Sequence, residues 1–169
     1  MKKTSKGFTL VELIVVIAII GILAAILVPA LMGYIKDSKL TSANASAKTI
    51  YTAANNYAQK CVVAGYKINP MTVLGEVVPT DTMPAWRSDG VVSNAMILQA
   101  VGCSMGADAK GSYCAISIGS KSFPTAAAWA KTKDDNFVGT YPKEATDTFD
   151  ASGTTKFTDA LDYANKSGS

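Results

Sequence analysis

Residues 6–36 read KGFTLVELIVVIAIIGILAAILVPALMGYIK, and this stretch decides what kind of chain the remainder must belong to. From Leu13 to Ile35 there are 23 consecutive residues without a charge. As a helix rising about 1.5 Å per residue they make a rod of roughly 35 Å, enough to cross a hydrocarbon core of about 30 Å. Lys2, Lys3 and Lys6 precede the stretch, Lys36, Asp37 and Lys39 follow it, and Glu12 is the one charge between Gly7 and Ile35. A secretory signal would use the three lysines as its basic region, but its apolar core is usually only about 7–15 residues. A plain membrane anchor fits the length, with the lysines kept on the cytoplasmic side. Neither reading explains Glu12, because a carboxylate placed among apolar residues is costly unless something pairs with it.

The string Lys6-Gly7-Phe8-Thr9-Leu10-Val11-Glu12-Leu13 resembles the processing site of type IV prepilins. The resemblance is strongest over residues 6–36. It implies that residues 1–7 are a leader cut between Gly7 and Phe8 by a membrane prepilin peptidase/methyltransferase. Phe8 is then N-methylated and the apolar segment is kept. Glu12 matches the acidic residue that serves subunit recruitment and assembly. The physical logic is independent of the family. Cleavage leaves a cationic amine one helical turn from an anionic carboxylate, so the amine of one subunit can neutralise Glu12 of another when helices bundle with a stagger. Pairing with the chain's own amine is the plainer alternative.

Gly21 and Pro29 interrupt the apolar run. Pro29 has no N–H for the carbonyl of Ala25 and its ring crowds that turn, so a kink is expected. Gly21 weakens a helix by about 1 kcal/mol relative to Ala. Both are tolerated in membrane helices. They also match the glycine and proline that bound the stretch which unwinds in assembled type IV pili, so the resemblance implies melting over residues 21–29.

Working outward, the apolar character becomes one-sided. Leu40, Ala43, Ala47, Ile50, Ala54, Tyr57 and Cys61 recur at alternating spacings of three and four, a single stripe at helical period. With Gly65 as the stop signal, residues 8–62 form one helix roughly 80 Å long. Residues 8–35 are its transmembrane or filament-core half and 36–62 its amphipathic half. Residues 63–92 contain Pro70, Pro79 and Pro84 and read as a loop with at most a short strand near Val77-Val78. Asn94 to Val101 is a helix candidate between Ser93 and Gly102. Strands are expected at Tyr113–Ile118, Ala126–Thr132 and Phe137–Tyr141, the last two joined by a turn at Asp134-Asp135-Asn136. Phe157 to Ala164 suits a short helix, with Asn165 to Ser169 frayed. The fold class is therefore α+β, a pilin-like fold in which a long N-terminal helix packs on a small antiparallel sheet of three or four strands. Residues 63–169 are the globular sheet region, and 36–169 are expected to form the soluble domain.

Composition narrows the chemistry. The 169 residues are 49% hydrophobic and 17% charged, with no histidine, which excludes His-based triads and His-ligated metals. The formal charge of +3 resides in Lys2, Lys3 and Lys6, so the remainder is balanced and no nucleic-acid surface is indicated. Three cysteines, Cys61, Cys103 and Cys114, are an odd number for an exported domain. Cys103 and Cys114 are a candidate disulfide, with a bond to Cys61, reduced thiols or a three-thiolate zinc site as alternatives. Asp134-Asp135 and Asp147 to Asp150 do not follow an EF-hand spacing and read as solvated turns. Trp86, Phe123, Trp129 and Tyr141 suit a core better than a ligand surface. No phosphate loop or Gly-x-Ser-x-Gly frame is present, and no catalytic residue, metal or cofactor is expected.

These readings converge on a structural subunit, not an enzyme: a pilin that assembles through its N-terminal helix into a type IV pilus for adhesion, twitching motility or related tasks. Its partners are other pilins in a helical filament, the processing enzyme, a pilus assembly platform, and the membrane before assembly. It passes from the cytoplasmic membrane to the cell surface. A pseudopilin of a type II secretion system is the runner-up, and a membrane-anchored enzyme or binding domain the remote one.

Overall fold

The computed structural model describes residues 8–85 and 90–166. The chain divides into two compact units, Met1–Ser38 and Lys39–Ser169. One helix, α1 (Leu10–Val63, 54 residues), supplies the first unit and then enters the second. In the first unit it is apolar all round, long and apolar enough to span a membrane, and its large side chains are exposed.

The second unit is built on the stripe. Leu40, Ala43, Ala47, Ile50, Ala54, Tyr57 and Cys61 are all buried, together with Asn44, Ala53 and Ala58. The helix ends as Gly65 suggests. Gly65 has φ +83°, Tyr66 N donates to the Cys61 carbonyl at 2.9 Å and Gly65 N to that of Val62 at 3.1 Å. These two bonds make a Schellman motif, which needs a residue free to adopt positive φ.

Four strands follow in an antiparallel meander, β1 (Met71–Glu76), β2 (Tyr113–Ile118), β3 (Pro124–Ala130) and β4 (Gly139–Tyr141), ordered β1-β2-β3-β4. Strand alternation splits the core in two. Cys114, Ile116, Ile118 and Ala127 pack with α1 and with α2 (Asn94–Met105). Ala115, Ala126, Ala128 and Ala130 pack on the other face with Phe157, Ala160, Leu161 and Ala164 of α3 (Thr155–Asn165). The sheet is thus covered on both faces.

Three expectations are corrected. The strand in residues 63–92 lies at Met71–Glu76, between Pro70 and Val77-Val78, and every one of its residues pairs with β2. Gly102 does not end α2, which runs on to Met105. A Cβ on Gly102 would lie 2.1 Å from the Val78 carbonyl oxygen, so this glycine lets loop and helix touch, and Gly106 (φ +69°) is the stop. The β3–β4 connection is longer than expected because side chains claim the backbone. Asp135 Oδ1 accepts from Phe137 N at 3.0 Å, and the buried Lys156 Nζ donates to the Asp135 carbonyl at 3.3 Å and to Asn136 Oδ1 at 3.1 Å.

The tightest join between helix and sheet is at β4. A Cβ on Gly139 would lie 1.9 Å from the carbonyl carbon of Ala43, so only glycine fits there. Beside it, Asn44 Oδ1 accepts from Thr140 N at 2.9 Å and Ala145 N at 3.1 Å, while Nδ2 donates to the Ala145 carbonyl at 2.9 Å. In a fragment beginning at Lys36, Gly139→Ala is expected to cost about 1–3 kcal/mol through overpacking. Ile50→Asp is expected to cost about 3 kcal/mol or more, because Ile50 is fully buried. Thermal melts check both; an unchanged midpoint for Ile50→Asp would contradict the packing of the stripe.

Candidate functional site

The first turn of α1 organises the residues around the expected cut. The Thr9 carbonyl accepts from Leu13 N at 3.3 Å, which makes Thr9 the N-cap. Glu12 N donates to Thr9 Oγ1 at 3.3 Å, while Thr9 N and Thr9 Oγ1 donate to Glu12 Oε2 at 2.8 Å and 2.7 Å. This is a capping box, in which Thr and Glu three residues apart satisfy each other's orphan groups. It also sets the carboxylate at the positive end of the helix dipole. A carboxylate next to 23 uncharged residues is thereby held at the helix end, with a defined direction. Phe8 precedes the cap and is 81% exposed.

Gly7, together with Lys2, Lys3 and Lys6, lies outside the described residues. Gly21 and Pro29 lie within α1, which is unbroken through both. Nothing lies within 4 Å of a Cβ built on Gly21, so packing within the chain does not account for that glycine. From Leu10 to Ile35 the large apolar residues leave much of their surface uncovered, as Ile22 (65%) and Ile26 (70%) show.

The cysteines are part of the core. Cys61 and Cys114 are buried in the layer between α1, α2 and the sheet, Cys103 is half-buried on α2, and all three are free thiols. The Cys103–Cys114 bridge is therefore absent from this structure: Cys114 alternates into the inner layer, while Cys103 lies two residues beyond Val101 of α2 as a half-buried thiol. Burial pushes the Cys114 thiol up to about 12 and raises that of Cys61. Phe123 and Trp129 pack against the same layer and Tyr141 packs at a tilt on Tyr51, ring centroids 4.9 Å apart; Trp86 is outside the described residues. Among the described residues no group of three or more Cys, Asp or Glu is placed to hold a metal.

Sequence reasoning singled out Glu12 but not Thr9, although the Thr-x-x-Glu spacing was there to be read. It also passed over Asn44 and Lys156, polar residues that give no apolar signal.

The first turn of α1 thus places a capped carboxylate at the start of a helix that is long and apolar enough to span a membrane. Residues 2–28 match the prokaryotic N-terminal methylation motif. The chain is 37% identical over 103 residues to fimbrial protein EcpC of Eikenella corrodens, covering 57% of this chain and 65% of that protein. It is 45% identical over 53 residues to the type IV major pilin protein PilA of Myxococcus xanthus, covering 31% of this chain and 24% of that one. With the type IV major alpha-pilin of Moraxella bovis it shares 56% identity over 52 residues, 29% of this chain and 33% of that protein. The chain thus spans 65% of the first of these relatives and a third or less of the other two. No solved structure matches it. The chain is thus similar to fimbrial proteins and type IV pilins and carries an N-terminal methylation motif.

Thiol chemistry checks the core assignment. In the native chain at pH 8, Cys103 is expected to react with a maleimide while Cys61 and Cys114 stay protected, because burial keeps them protonated and covered. Unfolding in denaturant should make all three react. Labelling of Cys114 in the native chain, or fewer than three labels after unfolding without reductant, would contradict this placement.

Proposed function

We propose that the chain is the structural subunit of a type IV pilus, made as a membrane precursor and assembled through the first part of α1 into a surface filament. The observation that carries the proposal is the uncovered apolar surface of α1 from Leu10 to Ile35, on a helix whose next stretch is fully engaged in a folded unit. Such a surface needs lipid or other copies of itself. The similarity to fimbrial proteins and type IV pilins supports the second. A peptidase cut between Gly7 and Phe8 removes the basic leader and exposes the amine that becomes methylated. Glu12 then pairs with the methylated amine of Phe8 from a neighbouring subunit, fixing the axial stagger of the bundle. Gly21 to Pro29 is the segment that extends within the filament: Pro29 removes one helical hydrogen bond and Gly21 lowers helix propensity. The globular units form the outer surface, and adhesion or motility belongs to the filament as a whole. The role is structural, without catalysis.

Intact-mass analysis of surface material tests processing. The expected chain begins with N-methyl-Phe8, and Gly7→Arg is expected to leave the leader attached. Recovery of the intact leader from wild-type filaments would overturn the processing step. Glu12→Ala is expected to be cleaved normally yet to give few filaments, since an amine buried without its counter-charge costs about 3–5 kcal/mol. Normal filament yield would remove the pairing. A deletion strain that keeps its surface filaments but retains secreted enzymes would favour the pseudopilin instead.

A further inference from the structure

The two oxygens of Glu12 are used unequally. Oε2 accepts both Thr9 donors, at 2.8 Å and 2.7 Å, whereas Oε1 has no partner among the described residues. We propose that Thr9 is a positioning residue for subunit assembly: its hydroxyl fixes the Glu12 carboxylate through Oε2 and leaves Oε1 open for the methylated amine of Phe8 of a second copy of the chain. This rests on the pairing role given to Glu12 above.

The donor count supports it. An ionised carboxylate offers about four acceptor positions. A singly methylated, protonated amine carries two N–H donors, which can fill only half of those positions where water is excluded. Thr9 supplies two more from the carboxylate's own chain, so the pair enters an apolar bundle with both oxygens engaged. The second argument concerns order. A free glutamate side chain loses rotamer freedom when it is captured, and one already held by its cap has less to lose. Bonding at Oε2 also restricts the carboxylate's rotation, so the incoming amine meets one defined oxygen. That matters for a contact repeated at every step of a helical array, where an error in direction would propagate.

The test compares Thr9→Ser, Thr9→Val and Thr9→Gly in the full chain, produced with its own assembly machinery. Filament yield is measured per molecule of processed subunit with methylated Phe8, so any effect of residue 9 on the adjacent cut is removed. Thr9→Ser keeps the hydroxyl and is expected to assemble as the parent does. Thr9→Val keeps the shape without the hydroxyl and is expected to lose about ten- to a hundredfold in yield, the scale of one lost hydrogen bond to a charged group. Thr9→Gly is the discriminating variant, since glycine at an N-cap weakens a helix only slightly. The positioning role predicts that it falls with Thr9→Val. If Thr9→Gly assembles normally while Thr9→Val fails, Thr9 is only a helix cap and the proposal is overturned; normal yield from Thr9→Val overturns it equally. Glu12→Ala, run alongside, separates the two levels. If Glu12→Ala assembles poorly and Thr9→Val normally, the pairing stands and the positioning role falls, whereas normal assembly of Glu12→Ala removes both.

Discussion

The folded unit depends on one close approach, the seating of α1 on the sheet along the stripe from Leu40 to Cys61. Ala43, Ala47, Ala53, Ala54 and Ala58 keep the helix surface low, and Gly139 removes the side chain that would hold β4 away from Ala43. Once the backbones are this close, the polar groups between them cannot reach water. Asn44 satisfies three of them at once, a backbone role carried out by a side chain. The outer face of the sheet follows the same plan, with Ala126, Ala128 and Ala130 lying under α3. Small residues on both faces place the sheet between helices at short range, so a unit of modest size gains a core from many close contacts and few bulky side chains.

The two parts of α1 obey different rules because they face different surroundings. From Lys39 onward, the helix is one-sided and its apolar stripe is covered by its own chain. Before that it has no polar side to turn outward, and the residue that breaks the pattern, Glu12, is tied to the helix terminus. A helix end leaves N–H groups without partners, and in an apolar medium water cannot supply them. Capping box and carboxylate therefore answer one another: the glutamate relieves the helix end, and the threonine hydroxyl and amide relieve the charge.

The legible parts of this architecture were those with a period. The stripe on α1 was visible because seven apolar residues repeat at 3.6, and β2 because an apolar, β-branched run sits between two glycines. What stayed hidden depended on contacts distant in sequence. Asn44 stands beside Ala43 and reads as part of the solvated face until β4 is brought to it. Gly102 reads as a helix stop, yet its reason is a carbonyl at Val78. The strand at Met71–Glu76 carries Gly75, over which the Leu98 side chain of α2 packs, and a glycine inside a strand blurs its signal. At the N-terminus the motif marked Gly7, Phe8 and Glu12, but a motif names residues without showing which atoms are already occupied. The unequal use of the Glu12 oxygens is a property of the folded first turn, not of the motif.

The bond from Thr140 N to Asn44 has one more effect. β4 is a terminal strand of the sheet, and Thr140 N, which is not given to β3, points out of it. An outward N–H on an edge strand is where a foreign strand can begin to add, the route by which crowded sheets fuse into aggregates. Asn44 occupies that donor from a helix that is itself anchored. The same contact that seats the helix thus also removes, on this edge of the sheet, a donor from which a foreign strand could start to pair.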